Sequence, residues 1–139
     1  MQTDELITWL NRAWGAEKEI KRLEAIRMDV FDRLTQTTGS YDKLAVRSSP
    51  DPHKLDGLAA LDERVVDKIN RKAAIQAEVL DAIDLLDDHR FRAILTDRYV
   101  RLMKWEAIED EENYSRAHVF RLHRKAVAAL CRMIKEEIE

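Results

Sequence analysis

Residues Phe91–Leu130, FRAILTDRYVRLMKWEAIEDEENYSRAHVFRLHRKAVAAL, decide how the chain is read. They divide into three consecutive helical pieces. Asp87 and Asp88 supply an N-cap for the first, expected from His89 to about Met103, with Phe91, Ile94, Leu95 and Leu102 facing inward and Tyr99 beside them. Arg90, Arg92, Arg98 and Arg101 tip this helix toward positive charge. The second piece, WEAIEDEE, is short and acidic, with Trp105 and Ile108 as its strong anchors. Asn113 tolerates the left-handed backbone of a tight turn, Tyr114 packs inward, and Ser115 caps the last helix. In that helix Val119, Leu122, Ala126 and Leu130 fall three or four residues apart, and Met133 and Ile134 continue the stripe. From Ser115 no acidic residue occurs until Glu136. A short acidic helix, a tight turn and a longer basic helix form the outline of a helix-turn-helix.

Once the inward stripe is subtracted, the last helix presents Arg116, Ala117, Phe120, Arg121 and Arg124, with His118 and Lys125 at the margins. A guanidinium fork can bind guanine O6 and N7 together, or grip a phosphate. A small Ala at the helix start lets the backbone approach a base edge. Phe120 is a bulky aromatic on a face expected to be wet. Contact with a thymine methyl, packing on the N-terminal helices and packing on a partner protein all remain open for it. Glu106, Glu109, Asp110, Glu111 and Glu112 would repel phosphate, so they point away from DNA or toward a basic protein surface. Alternatively, the acidic and basic helices pair with each other inside the chain.

The wider composition agrees with helices. Among 139 residues there are only three Gly and two Pro, too few for the turns of a sheet protein. The net charge of −3 hides the asymmetry just described. Cys131 is the single cysteine, which excludes an internal disulfide and suits a reducing compartment. No apolar run approaches the roughly 20 residues of a membrane span, and the acidic start MQTDEL lacks a signal pattern. A cytoplasmic protein is expected. His118, His123 and Cys131 lack further ligands at metal-binding spacing, no Gly-rich phosphate loop exists, and no serine has a base beside it in sequence. Neither metal, cofactor nor enzymatic activity is expected.

Residues 1–86 read as two long helices around a loop. Thr3 is the expected N-cap of the first, which runs to about Leu34 with Leu6, Trp9, Ala13, Ala16, Ile20, Leu23, Val30 and Leu34 on one stripe, interrupted by Arg27 and flanked by Leu10, Trp14, Ile26 and Phe31. Gly39, Pro50, Pro52 and Gly57 mark residues 35–57 as a flexible connector in which Tyr41, Leu44 and Val46 dock locally and His53 is solvated. The second helix, about Leu58–Leu86, places Leu61, Val65, Val66, Ile69, Ala73, Leu80 and Ile83 on its apolar face, with Gln76 as a polar interruption. Arg27 and Gln76 either specify register or snorkel at the edge. The expected fold is all-α: a coiled-coil-like antiparallel helix pair over 1–86 that oligomerises, then a helix-turn-helix domain over 87–139.

The residues AILTDRYVRLMKWEAI and NYSRAHVFRLHRKAVAAL resemble the fourth-region helix-turn-helix of bacterial sigma factors. They are more similar still to phage and prophage late-gene transcription regulators of the ArpU and RinA type. Leu95, Arg98-Tyr99, Trp105-Glu106, Ile108, Tyr114-Ser115, Val119, Leu122, Ala126 and Leu130 carry the resemblance, over about the last third of the chain. It implies a transcription regulator in a bacterial host cell, binding double-stranded DNA with a recognition helix at about 115–135. Ala117, Phe120 and Arg121 would face bases, and Arg116 and Arg124 the backbone. Ser115, His118 and Lys125 complete the expected interface. Glu109 and Glu112 depart from the pattern, standing where small and apolar residues pack the short helix. A more exposed, distorted short helix is expected from them. The alternatives are a sigma-like module docking on RNA polymerase and a DNA-packaging adaptor resembling a small terminase subunit. A homodimer or higher homo-oligomer is expected in each case.

Overall fold

A computed structural model describes residues 1–38 and 52–138. Among these the chain forms helices α1 (Thr3–Leu10), α2 (Arg12–Thr38), α3 (Pro52–Ile83), α4 (His89–Tyr99), α5 (Trp105–Glu112) and α6 (Arg116–Ile138), and no strand. The fold is all-α. Two compact units are formed, one from Met1–Gly15 with Lys72–Glu139, the other from Ala16–Arg71.

In the second of these units, α2 and α3 run antiparallel. The ion pairs show it: Glu19 meets Lys68 at 3.1 Å, and Arg27 Nε meets Asp62, so rising numbers on α2 match falling numbers on α3. Ile20 is buried, while Leu23, Val30, Leu34, Leu58, Leu61 and Val65 are half-buried. Arg27 therefore does not interrupt a core. Its charged end reaches an exposed partner at the edge, a pairing that contributes at most about 1 kcal/mol.

Helix ends differ from the sequence reading for identifiable reasons. Pro52 begins α3 because a proline at the first helical position gives up an N–H that has no partner there anyway. The helix then runs through Gly57, and His53 falls in its first turn rather than in a loop. With α2 reaching Thr38, the connector is shorter than 35–57; Gly39, Tyr41, Leu44, Val46 and Pro50 lie outside the described residues. At the N-terminus Gln2, not Thr3, occupies the cap position, with no side-chain capping bond. Asn11 separates α1 from α2, its N–H still bonded to the Ile7 carbonyl at 2.9 Å, so the first helix is bent rather than continuous.

The larger unit has two adjoining apolar clusters. Leu6 and Leu10 of α1, Val79 and Ile83 of α3, Leu95 and Tyr99 of α4, and Ala126, Val127, Leu130 and Cys131 of α6 make one. Ile94 of α4, Ile108 of α5 and Val119 and Leu122 of α6 make the other, covered by Phe91, Met103, Trp105 and Tyr114. Consecutive residues Ile94 and Leu95 thus point α4 into both. Each fully buried side chain of this size contributes roughly 1.5–3 kcal/mol. Leu10, expected on a flank, is completely buried.

Helix α4 stops at Tyr99, four residues before the expected end. Val100 and Arg101 both donate to the Thr96 carbonyl, Met103 donates to the Asp97 carbonyl at 2.9 Å, and Leu102 takes a left-handed backbone with φ 57°. Side chains complete the termination. Gln76 Nε2 donates to the Val100 carbonyl at 2.6 Å, and Arg98 Nη1 donates to the Met103 carbonyl at 3.0 Å. Gln76 is therefore neither a register device nor a snorkelling residue; it caps α4.

Arg98 does more than cap. Its guanidinium carbon lies 4.5 Å from the ring centre of Trp14 and 4.4 Å from that of Trp105, while Trp14 Nε1 donates to the Arg98 carbonyl at 2.7 Å. One cation between two indoles joins the start of α2, the end of α4 and the start of α5. Replacing it with alanine removes two cation–π contacts, each contributing about 0.5–2 kcal/mol, and a hydrogen bond of about 1 kcal/mol. Arg98→Ala is expected to lower the urea unfolding free energy by roughly 2–4 kcal/mol. A loss within experimental error would show that the indoles pack equally well without the cation.

Candidate functional site

The outward face of α6 is set by what anchors its inward face. Ser115 caps the helix as expected, its Oγ accepting from the His118 N–H at 3.2 Å. Asn113 takes the left-handed conformation, φ 58° and ψ 45°, and closes α5 with its N–H on the Glu109 carbonyl. Val119, Leu122, Ala126 and Leu130 are all buried. The two-helix arrangement α5–Asn113-Tyr114-Ser115–α6 therefore stands on caps and an apolar stripe legible in the sequence.

The eight expected interface residues divide sharply. Arg116 is held inside the chain, 3.4 Å from Glu106 and 3.5 Å from Glu109. His118 packs edge-on against Tyr114, with ring centres 4.6 Å apart. Phe120, 38% exposed, lies against Trp105 at 5.0 Å, so its reason for being on that face is a neighbour within its own unit. Packing on Trp105 was not among its expected settings. Ser115 is committed to the cap. Ala117, Arg121, Arg124 and Lys125 remain exposed, and the three cations make no ion pair among the described residues. Ala117, Arg121 and Arg124 recur at four- and three-residue steps and share one helical face.

Three acids of α5 pair with arginines of the same chain, largely at the surface. Arg101 Nη1 lies 2.8 Å from Glu111 and 2.9 Å from Asp97, and Arg116 takes Glu106 and Glu109. The internal pairing kept open in the sequence is thus realised for three acids of the short helix. Glu109 and Glu112 do not distort α5, which is a regular helix closed by Asn113, and both are only half-exposed.

Two polar features behind this face gave little sign in the sequence. His123 Nε2 and the Tyr99 hydroxyl are hydrogen-bonded at 2.6 Å, and Trp105 meets the imidazole edge-on at 5.0 Å. Burial, helped by the Arg98 charge, pushes the imidazole down to about 4, and burial pushes the Tyr99 phenol up to about 12. His123 is therefore neutral at physiological pH, a packed group rather than a cation facing solvent. The other feature is Asp97, which is 4% exposed. Its Oδ1 accepts from Arg101, but its buried Oδ2 has no partner. Glu112 stands beside it, its carboxyl held above the usual range by the hydrogen bond to Asp97, by burial and by the charges of Asp97 and Glu111, against which Arg101 acts. When Glu112 takes up a proton, it becomes a possible donor for Asp97 Oδ2. The only sequence signal for Asp97 was its spacing, three residues after the core residue Ile94.

An all-α protein with a capped, outwardly basic last helix is the class so defined. The chain belongs to the family described as Protein of unknown function (DUF1492), which matches residues 57–131, from α3 to near the middle of α6. No curated protein and no solved structure matches the chain. No helix among the described residues is long and apolar enough to cross a membrane, and among them no group of His, Cys, Asp and Glu is placed to hold a metal ion.

Glu112 gives the site a pH signature. Its folded value is raised above the ordinary 4.5, so its stabilisation is complete below that value and is lost as pH rises through the raised one. Glu112→Gln keeps a donor toward Asp97 at every pH. The variant is expected to be more stable than the native chain at pH 7, by about 1 kcal/mol, and to lose that advantage below pH 4.5. Identical pH profiles of thermal unfolding for the two proteins would place the proton elsewhere.

Proposed function

We propose that this chain is a sequence-specific DNA-binding transcription regulator, with α5, the Asn113 turn and α6 working as a helix-turn-helix of the sigma fourth-region type. The observation that carries the proposal is the outward face of α6. Ala117, Arg121, Arg124 and Lys125 are exposed and have no acidic partner among the described residues, on a helix whose other face is fixed by buried contacts. A rigid helix offering arginines beside a small residue is what a major groove accepts, since binding then costs little ordering of the backbone. Arg121 is the base-reading residue in this proposal, and Arg124 and Lys125 contact phosphates. Arg116 acts from the inside, holding α5 through Glu106 and Glu109. The resemblance to late-gene regulators of phages and prophages supports the same assignment. Docking on RNA polymerase is the second reading, and the exposure of Glu106, Asp110, Glu111 and Phe120 favours it.

The proposal includes a homodimer formed through the α2–α3 pair. Leu55, Val66 and Ile69 of α3 are 44%, 54% and 46% exposed, although Val66 and Ile69 were expected on the helix's covered face. Steps of eleven and three residues return these three side chains to one helical face, which a second copy of the chain can cover. Ala73 and Leu80, also expected to be covered, are exposed on the same helix.

Selection of bound sites from random duplexes gives the probe for the first test. Arg121→Ala is expected to weaken binding to the selected site by roughly 1–3 kcal/mol, with a smaller loss on random DNA. Equal loss on both would move Arg121 to a phosphate, and failure of the native protein to select any site would end the proposal. For the dimer, light scattering is expected to give twice the chain mass, and Val66→Asp with Ile69→Asp a monomer. A ring-sized native assembly would instead favour a DNA-packaging adaptor.

A further inference from the structure

The exposed face of α6 does not end at Lys125. Arg132 and Lys135 continue it, and both are exposed with no ion pair among the described residues. From Arg121 to Lys135 the basic face extends about 21 Å along the helix. Its second half borders a groove of about 460 Å³, with Lys125, Arg132 and Lys135 on one side and Met1, Gln2 and Thr3 on the other. The far wall is fixed in place: the Cys131 thiol donates to the Met1 carbonyl at 3.0 Å, and Leu6 of α1 packs in the same core as Leu130. Gln2 and Thr3 offer polar groups without negative charge. The nearest acids on that wall, Asp4 and Glu5 in the first turn of α1, are not among the lining residues, nor is Glu136 on α6.

Three unpaired cations along one wall of an open groove concentrate positive potential there. We propose that this groove is a phosphate-binding extension of the DNA interface, in which Lys125, Arg132 and Lys135 grip the backbone strand flanking the major groove that α6 enters. The inference rests on the helix-turn-helix reading and adds Arg132 and Lys135 to it. Contacts of this kind position the duplex and add affinity on any sequence, while base choice stays with Arg121.

The test uses the full chain carrying Lys125→Gln, Arg132→Gln and Lys135→Gln together, titrated onto the selected duplex and onto a random duplex over a range of salt concentrations. The three positions are exposed, so the thermal midpoint serves as a check of folding, and Lys18→Gln on α2 serves as a charge control. The slope of log affinity against log salt is expected to become shallower by about 2–3 units, at about 0.9 per phosphate, with the preferred sequence unchanged and the control slope native. An unchanged slope in a variant whose native parent binds DNA would overturn the groove assignment and leave the helix-turn-helix reading standing. A changed sequence preference would also overturn it, by making these residues base readers. Unchanged DNA binding with lost affinity for polyglutamate would give the groove to an acidic protein instead. A native chain that binds no duplex at any salt would overturn both readings at once.

Discussion

One guanidinium, that of Arg98, sits between the indoles of Trp14 and Trp105 and ties three helices to a single point. An arginine there keeps its charge even though burial lowers its pKa, so its surroundings must satisfy that charge. Two ring faces and the Met103 carbonyl do so, with Glu106 close enough to help. Trp105 then serves two further residues of α6, Phe120 on one side and His123 on another. The orientation of α6 about its own axis follows from these contacts together with the Val119, Leu122, Ala126 and Leu130 stripe. Trp14, 84 residues before Arg98, is thereby linked through Arg98 and Trp105 to α6.

Charge is distributed in this unit by the same logic. Three acids of α5, Glu106, Glu109 and Glu111, stand opposite Arg101 and Arg116 in exposed ion pairs, which offset part of the charge of those arginines. What stays open on α6 is consequently all positive up to Glu136, although the chain as a whole is acidic. A net charge describes solubility and long-range repulsion; it does not describe a face. The asymmetry between α5 and α6 was visible as a sequence pattern. Its partition into paired and unpaired arginines depended on distances across the turn.

Buried polar groups mark where the fold is most constrained. Gln76 closes the end of α4, Tyr99 and His123 satisfy each other beneath Trp105, and Asp97 keeps one buried carboxylate oxygen unpartnered beside Glu112. Removing Gln76 or His123 would leave a carbonyl or a phenol without its partner, the costly side of hydrogen bonding in an interior. Glu112 illustrates how a departure from an apolar anchor is accommodated. The carboxyl stays in a half-buried position, and the neighbouring Asp97 raises its affinity for a proton.

Legible along the chain were the all-α class, the two long helices, the Asp88 cap, whose carboxylate accepts from the Arg90 N–H, the Ser115 cap, the left-handed Asn113 and the buried stripe of α6. All of these rest on interactions between residues a few positions apart or on a repeating period, so local order carries them. Tertiary packing settled the rest: Pro52 opens a helix, Val66 and Ile69 are exposed, the antiparallel pairing of α2 with α3 is set by contacts between them, Gln76 is a cap, and Arg116, His118 and Phe120 are engaged within the chain while Arg121, Arg124 and Lys125 have no ion pair among the described residues. A helix can offer several faces to its neighbours, and its own period does not say which will be covered. That choice belongs to residues distant in sequence, because an apolar face or a charge is settled only by whatever other part of the chain comes to lie against it.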